Sequence, residues 1–319
     1  MNYARARHIA WRGRTGGLGD LLSPIIVAAF TGQEVRFAHA FSPDDRLLAM
    51  GTIGQRQRLG RIHLWGTGFA GRHGENFMVA RGWRLPPLTC FLPHATRGPH
   101  SATMLRAAGI HTPTLHGDPT WLLPRLWPDP AHEPLHELGV FLHVSETATP
   151  HPDALPRPEF RRYTVPPSLA GRILVRPTHV AAEVGAVRAR VEEMLSCRRI
   201  LSTSLHALAI AEAYGIPCAN FDFHPGPNGR FAPDDESHPL DHRMRDYYAG
   251  SGATAVAVFR TERHMPTDWE AAMRFIDTHW APLAYDPTAL LEAFPPAFGQ
   301  VSQVPAPQTL ARLDQLAGL

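Results

Sequence analysis

The chain predicts an α/β protein built on open parallel sheets, and three observations lead there. Short apolar segments recur, each followed by a glycine-bearing loop and then a helical stretch, the rhythm of parallel strands joined by crossover helices. Residues 200–217 read as strand, polar turn, helix and stop. Ile200 and Leu201 enter as a strand, Ser202, Thr203 and Ser204 make a polar turn, and an Ala-rich helix runs on to Gly215. The length of 319 residues, 44% hydrophobic and 19% charged, is enough for two domains of ordinary size.

Taken in order, residues 8–11 are expected as the first strand and 12–19 as a loop rich in glycine and arginine. A helix is expected to start near Ser23, with Pro24 at its first position and Gly32 at its end. Strands are expected over 35–39, 61–65, 89–92 and 114–116, and a helix over 101–108 that Gly109 closes. The proline-rich stretch 124–137 reads as a linker, which divides the chain into domains 1–131 and 132–319. In the second half, strands are expected over 138–144 and 173–175. Val180, Val184, Val187, Val191 and Leu195 recur at steps of four and three, predicting a helix over 179–196. The unit at 200–217 comes next, then an aromatic run from Asn220 to His224, the segment 243–248 and a Trp-bearing helix near 268–280. The tail after about residue 295 is rich in Pro and Gln and is expected to be loosely held. Two Rossmann-like parallel-sheet domains facing a cleft resemble the two-lobed GT-B glycosyltransferase architecture. Such sheets bind ligands at the carboxyl ends of their strands, so the loops at 12–19, 66–68, 97–98 and 117–119 are expected along one edge.

Composition narrows the chemistry. No lysine occurs, so all 31 basic residues are arginines. A lysine Schiff base and a phosphate-binding P-loop are thereby excluded, and an anion must be held by arginine forks or helix N-termini. A net charge of +2 gives no reason to expect nucleic acid. The 19 histidines lack metal-ligand spacing, so no metal is expected. Three scattered cysteines make no disulfide framework and suit a cytoplasmic setting. No apolar run approaches the ~20 residues of a membrane span, and the basic N-terminus does not read as a signal peptide. One hydroxyl of Ser202, Thr203 and Ser204 is expected to cap the following helix, placing His206 in its first turn beside backbone N–H groups with no intrahelical partner. Free amides, a helix dipole and a titratable ring converge there, a point suited to an anionic, reacting substrate.

An ordered set of motifs then carries a family resemblance. These are Gly17-Leu18-Gly19-Asp20 with Pro24 close behind, Trp65-Gly66-Thr67-Gly68-Phe69, Arg97-Gly98-Pro99 and Gly117-Asp118-Pro119. The strand ending in His143, the Ser202 to Pro217 element and Arg243-Met244-Arg245-Asp246-Tyr247-Tyr248 complete it. In this order they resemble the polysaccharide pyruvyl transferase family across about 250 residues. Two departures stand out: Ala207 replaces the family's glycine, and Ser204 stands where many members carry an arginine.

The resemblance implies transfer of a pyruvyl group from phosphoenolpyruvate to two hydroxyls of one sugar, giving a cyclic ketal and phosphate. The acceptor is then an exopolysaccharide or its lipid-linked repeat unit, met in the cytoplasm or peripherally at the membrane face. No cofactor is needed beyond phosphoenolpyruvate itself. The N-terminal domain takes the acceptor side and the C-terminal domain the phosphoenolpyruvate side. His206 is the expected general acid, or the cation that stabilises departing phosphate. Asp20 is the expected base and Asp118 the second choice, although Asp20 also suits a helix N-terminus and Asp118 a plain turn. Gly17, Gly19, Arg14, Gly66, Gly68, Arg97, Ser202, Thr203, Ser204, Arg243 and Arg245 are the expected substrate contacts. Trp65 and Phe69 suit either sugar stacking or the core. Two other readings stay open: a nucleotide-sugar-dependent glycosyltransferase of the same build, and a non-catalytic scaffold in polysaccharide assembly.

Overall fold

Ile9, Val35, Leu47, Ile62 and Phe91 are buried residues on five short segments that pair in parallel. These are β1 (Arg7–Ile9), β2 (Val35–Phe37), β3 (Arg46–Leu48), β4 (Gly60–Thr67) and β5 (Thr89–Thr96). The computed structural model describes residues 7–10, 16–70, 83–129, 133–238 and 240–310. A second sheet holds β6 (Leu138–Leu142), β7 (Ile173–Pro177), β8 (Ile200–Ser202), β9 (Cys218–Asp222), β10 (Gly229–Phe231) and β11 (Val256–Arg260). The first sheet runs β2-β1-β3-β4-β5 and the second β10-β11-β9-β8-β6-β7. Every pairing is parallel except that of β10 with β11, which makes the second sheet mixed rather than purely parallel. With that edge strand set aside, both sheets have their strands in the same order: second, first, third, fourth, fifth. The winding direction reverses between β1 and β3 and again between β6 and β8, and ligands in open α/β sheets bind at such reversals.

The helices are α1 (Leu18–Thr31), α2 (Pro99–Ala107), α3 (Leu123–Leu126), α4 (Val184–Leu195), α5 (Leu205–Ala213), α6 (His242–Gly250), α7 (Trp269–His279), α8 (Thr288–Glu292) and α9 (Pro307–Leu310). Helix α1 begins at Leu18 instead of near Ser23, so Pro24 lies inside it. Extended Gly17 starts the helix, and Asp20 in its first turn complements the dipole. Pro24 has no N–H to give the carbonyl four residues back, so the Asp20 carbonyl loses its helical donor. Helix α4 likewise begins later than residue 179. Thr178 and Val180 are engaged with the first lobe instead: Leu18 N–H donates to the Thr178 carbonyl (3.1 Å) and Val180 N–H to that of Gly16 (2.8 Å). The segment 114–116 is not a strand; only His116 bridges, to Thr96.

Strand β3 was not foreseen because Arg46 breaks its apolar pattern. Arg46 is fully buried, and its guanidinium donates to Gln57 Oε1 and to the carbonyls of Ser42, Asp44, Ala40 and Arg58. One buried cation thus organises the loops on both sides of the strand.

The last segment corrects the expected loose tail over its described residues, 296–310. After α7 the chain returns to the first lobe. Trp65 Nε1 donates to the Leu290 carbonyl (2.7 Å) and Tyr285 Oη to that of His116 (2.8 Å). Ser302 N–H and Ala306 N–H donate to the carbonyls of Phe30 and Ala29 at the end of α1. Phe298 is only 4% exposed and meets His63 edge-on. Buried apolar side chains, not composition, decide how well this stretch is held. One apolar cluster joins Ile9, Leu47 and Trp65 of the first sheet to Phe141, Ile200 and Val258 of the second. Among the described residues no helix is long and apolar enough to cross a membrane. Truncation after Pro295 removes the Phe298 anchor and should lower stability by about 2 kcal/mol or more, read as a loss in chemical denaturation.

Candidate functional site

The two lobes touch beside these reversals, where Gly17 at the start of α1 bridges His179 after β7. In the second lobe Ser202 Oγ donates to the Phe141 carbonyl (2.6 Å) and accepts from Ser204 N–H (2.9 Å). Thr203 Oγ1 accepts from His143 N–H at 2.8 Å, tying the end of β8 to the end of β6. These two hydroxyls therefore knit strand ends together. Ser204 is the N-cap residue of α5, yet its side chain makes no capping bond. The hydroxyl cap expected from the sequence is absent, and the N-terminus of α5 has no side-chain cap.

His206 sits in the first turn of that helix, against the first lobe. A Cβ on Gly19 would fall 2.0–2.2 Å from three atoms of the imidazole, so only glycine lets α1 approach the ring. The residue keeps partial exposure, but Nε2 is buried and has no hydrogen-bond partner among the described residues. Burial, then the charges of Arg243, Arg97 and His143, push its pKa from 6.5 down to about 3. The ring is neutral near pH 7. It lies at a lobe junction among cations, not in an apolar interior.

Arg97 follows β5 and is 1% exposed. Its Nε meets Asp246 Oδ2 at 3.2 Å and its Nη1 donates to Thr52 Oγ1 at 2.7 Å. A Cβ on Gly68 would stand 2.3 Å from Nη2, so glycine also lets the backbone lie against this guanidinium. Nη2 is buried with no partner among the described residues. Arg243, in the first turn of α6, pairs with both Asp241 oxygens (3.0 and 2.7 Å). Burial opposes charge on both partners, but the pairing outweighs it: Arg243 is raised, with help from Asp20, and Asp241 is held well below the usual carboxylate range.

Asp20 stands at the reversal of the first sheet. A Cβ on Gly17 would be 2.8 Å from Asp20 Oδ2, and one on Gly51 3.5 Å from Oδ1. Gly17 itself bridges His179 of the second lobe. The junction thus gathers Gly17, Gly19, Asp20, Gly68, Arg97, His206 and Arg243.

Other expected contacts are engaged elsewhere. Asp118 is 1% exposed and caps its own 3-10 turn, with Oδ1 accepting from Thr120 N–H (3.0 Å) and Thr120 Oγ1 (2.6 Å); burial pushes its pKa up. It is built as a turn residue. Gly66 packs against Pro119 and the Gly117 carbonyl. Arg245 gives its guanidinium to the carbonyls of Leu240, Pro233, Asp235 and His238, holding a loop. Trp65 and Phe69 are core residues, the latter against Trp83 and Phe91. Arg14 lies outside the described residues. Thr52, His143 and Asp246 join the site without having been singled out for it. His143 and Asp246 stood inside quoted motifs, whereas nothing local marks Thr52.

Among the described residues no group of three His, Cys, Asp or Glu side chains is placed to hold a metal ion. Neither a protein-family model nor a curated protein matches the chain. Its class therefore rests on the fold: an α/β protein of two lobes with the same strand order, touching beside the reversals of both sheets. Gly19→Ala places a methyl inside the His206 ring position. It should cost about 1–3 kcal/mol in thermal unfolding and displace the imidazole, read as a change in its NMR shifts.

Proposed function

We propose that the chain transfers the pyruvyl group of phosphoenolpyruvate to a sugar of an exopolysaccharide or its lipid-linked repeat unit. One observation supports this most: His206 Nε2 and Arg97 Nη2, from opposite lobes, are buried polar atoms without a partner among the described residues. Groups of this kind need a ligand or water to satisfy them. Burial depresses His206 most, and Arg243 and Arg97 add to it, so positive charge lies beside the ring and suits an anion.

Addition of a sugar oxygen to the enol carbon requires a proton on the methylene carbon and loss of one from the hydroxyl. Departure of phosphate and closure by the second hydroxyl require a second transfer, that proton leaving with the phosphate. His206 starts neutral. A bound dianion offsets the arginine charges, so the imidazole gains a proton together with the ligand and acts as the acid. This refines the expectation of a standing cation: in the free protein burial prevents it. Asp20 takes the hydroxyl proton from the acceptor side. Its influence on Arg243 places it near the same charges. Arg97 grips phosphate or carboxylate through Nη2. Arg243 and Arg97 supply the positive charge that Ser204 does not. The acceptor is reached in the cytoplasm or at the cytoplasmic membrane face.

Incubation with phosphoenolpyruvate and a lipid-linked oligosaccharide should release phosphate, and His206→Gln should lower kcat by roughly 10²-fold or more. Release of nucleoside diphosphate from a sugar nucleotide would favour a glycosyltransferase instead, and turnover of neither a scaffold. In NMR titration the His206 pKa should lie near 3 in the free protein and rise when phosphate is added. Because the folded value lies below 6.5, this residue weakens the fold progressively as the pH falls from 6.5 toward 3, and phosphate should relieve that loss.

A further inference from the structure

Arg97 belongs to the first lobe, but what holds it comes from the second. Asp246 lies on α6 and is fully buried. Its carboxylate takes three donors, all from the first lobe. Oδ1 accepts from Ser101 N–H (3.0 Å), and Oδ2 accepts from Ser101 Oγ (2.6 Å) and Arg97 Nε (3.2 Å). Ser101 Oγ accepts in turn from Phe69 N–H at 2.8 Å. Ser101 is in the first turn of α2, whose N-cap residue Gly98 has no side chain, so Asp246 caps that helix from the opposite lobe. The backbones touch as well. A Cβ on Gly98 would fall 1.8 Å from the Asp246 carbonyl oxygen, and one on Gly250 2.0 Å from that of Arg97.

We infer that Asp246 is a positioning residue for the anion site: it fixes Arg97 from across the lobe junction so that Nη2, without a partner among the described residues, is held ready for the ligand. This rests on the pyruvyl-transfer reading, in which Arg97 binds phosphoenolpyruvate. A guanidinium has one Nε and two terminal nitrogens. Asp246 takes Nε, Thr52 takes one N–H of Nη1, and the Gly68 backbone lies close against Nη2. Two consequences follow. The orientation of Arg97 is over-determined before ligand arrives, which spares the ligand the ordering cost. The site is also complete only while the lobes are docked, because one lobe provides Arg97 and the other provides Asp246, Arg243 and His206. Anion binding and lobe docking then support each other.

The capping and positioning roles separate by substitution. Asparagine caps a helix as well as aspartate does but carries no charge for Arg97. Asp246→Asn leaves the buried Arg97 charge without its partner, so it should lower the melting temperature and, measured well below that temperature, weaken binding of phosphoenolpyruvate and of inorganic phosphate roughly 10–100-fold by calorimetry, the loss expected for a hydrogen bond to a charged group. KM for phosphoenolpyruvate should rise by a similar factor, with a smaller change in kcat. Ser101→Ala, which removes a donor from the cap and leaves the Arg97 contact, should lower the melting temperature with anion affinity within about twofold of wild type. In an Arg97→Lys background Asp246→Asn should add little further loss of affinity. Wild-type affinity in Asp246→Asn would sink the positioning role while leaving pyruvyl transfer standing. Failure of the wild type to bind either probe would sink both.

Discussion

A charge taken out of water must meet an opposite charge or a full set of acceptors, and the Arg97–Asp246 pair is where this constraint shapes the molecule. Both side chains are almost wholly buried, and they come from different lobes. Removing either leaves the other uncompensated, at a cost of about 3–5 kcal/mol for pairs of this kind. The pair therefore acts as a latch between lobes whose apolar cores are already continuous. Its surroundings are cut to fit. Glycines at 98 and 250 let the two backbones touch, and Ser101 gives the carboxylate two further donors.

Electrostatics at His206 then run one way. Burial acts first against a proton on His206, and Arg243, Arg97 and His143 add to it. The result is a neutral imidazole in positive surroundings, which an anion changes more than any other ligand. A lysine-free chain meets this need with guanidinium groups, whose planar forks can be held on one side and left open on another. Arg97 is used in that way. Arg46 and Arg245 show the alternative: their forks are spent on backbone carbonyls, and they bind the chain to itself. Nothing in residue type separates these arginines. Only their neighbours do.

Much of the secondary structure was legible along the chain because it depends on local order. Glycine-bearing turns after apolar segments marked β4 and β5, apolar runs marked β6 and β8, and the four-and-three spacing of valines marked α4. Misses had tertiary causes. The β7–α4 connection begins late as a helix because 178–180 pairs with the Gly16–Gly17 backbone of the other lobe. The tail is held because Phe298 and Leu290 find the first lobe. The Ser202 and Thr203 hydroxyls bond strand-edge groups of β6 in preference to capping α5.

By itself the sequence determined the alternation of strand and helix, the absence of lysine chemistry, and the presence of His206 in the first turn after β8. These follow from hydrophobic spacing, composition and turn residues, all of which act over a few positions. The tertiary structure alone decided which polar residues meet. It set Gly19 on the His206 ring, gave Asp246 to Arg97, and turned Asp118 and Arg245 inward to structural partners. Such pairings join residues as far apart as 19 and 206 or 97 and 246, and depend on how two sheets of the same strand order dock. No local pattern encodes that docking, because it is selected by the summed burial of apolar surface and the pairing of buried charge across the whole interface.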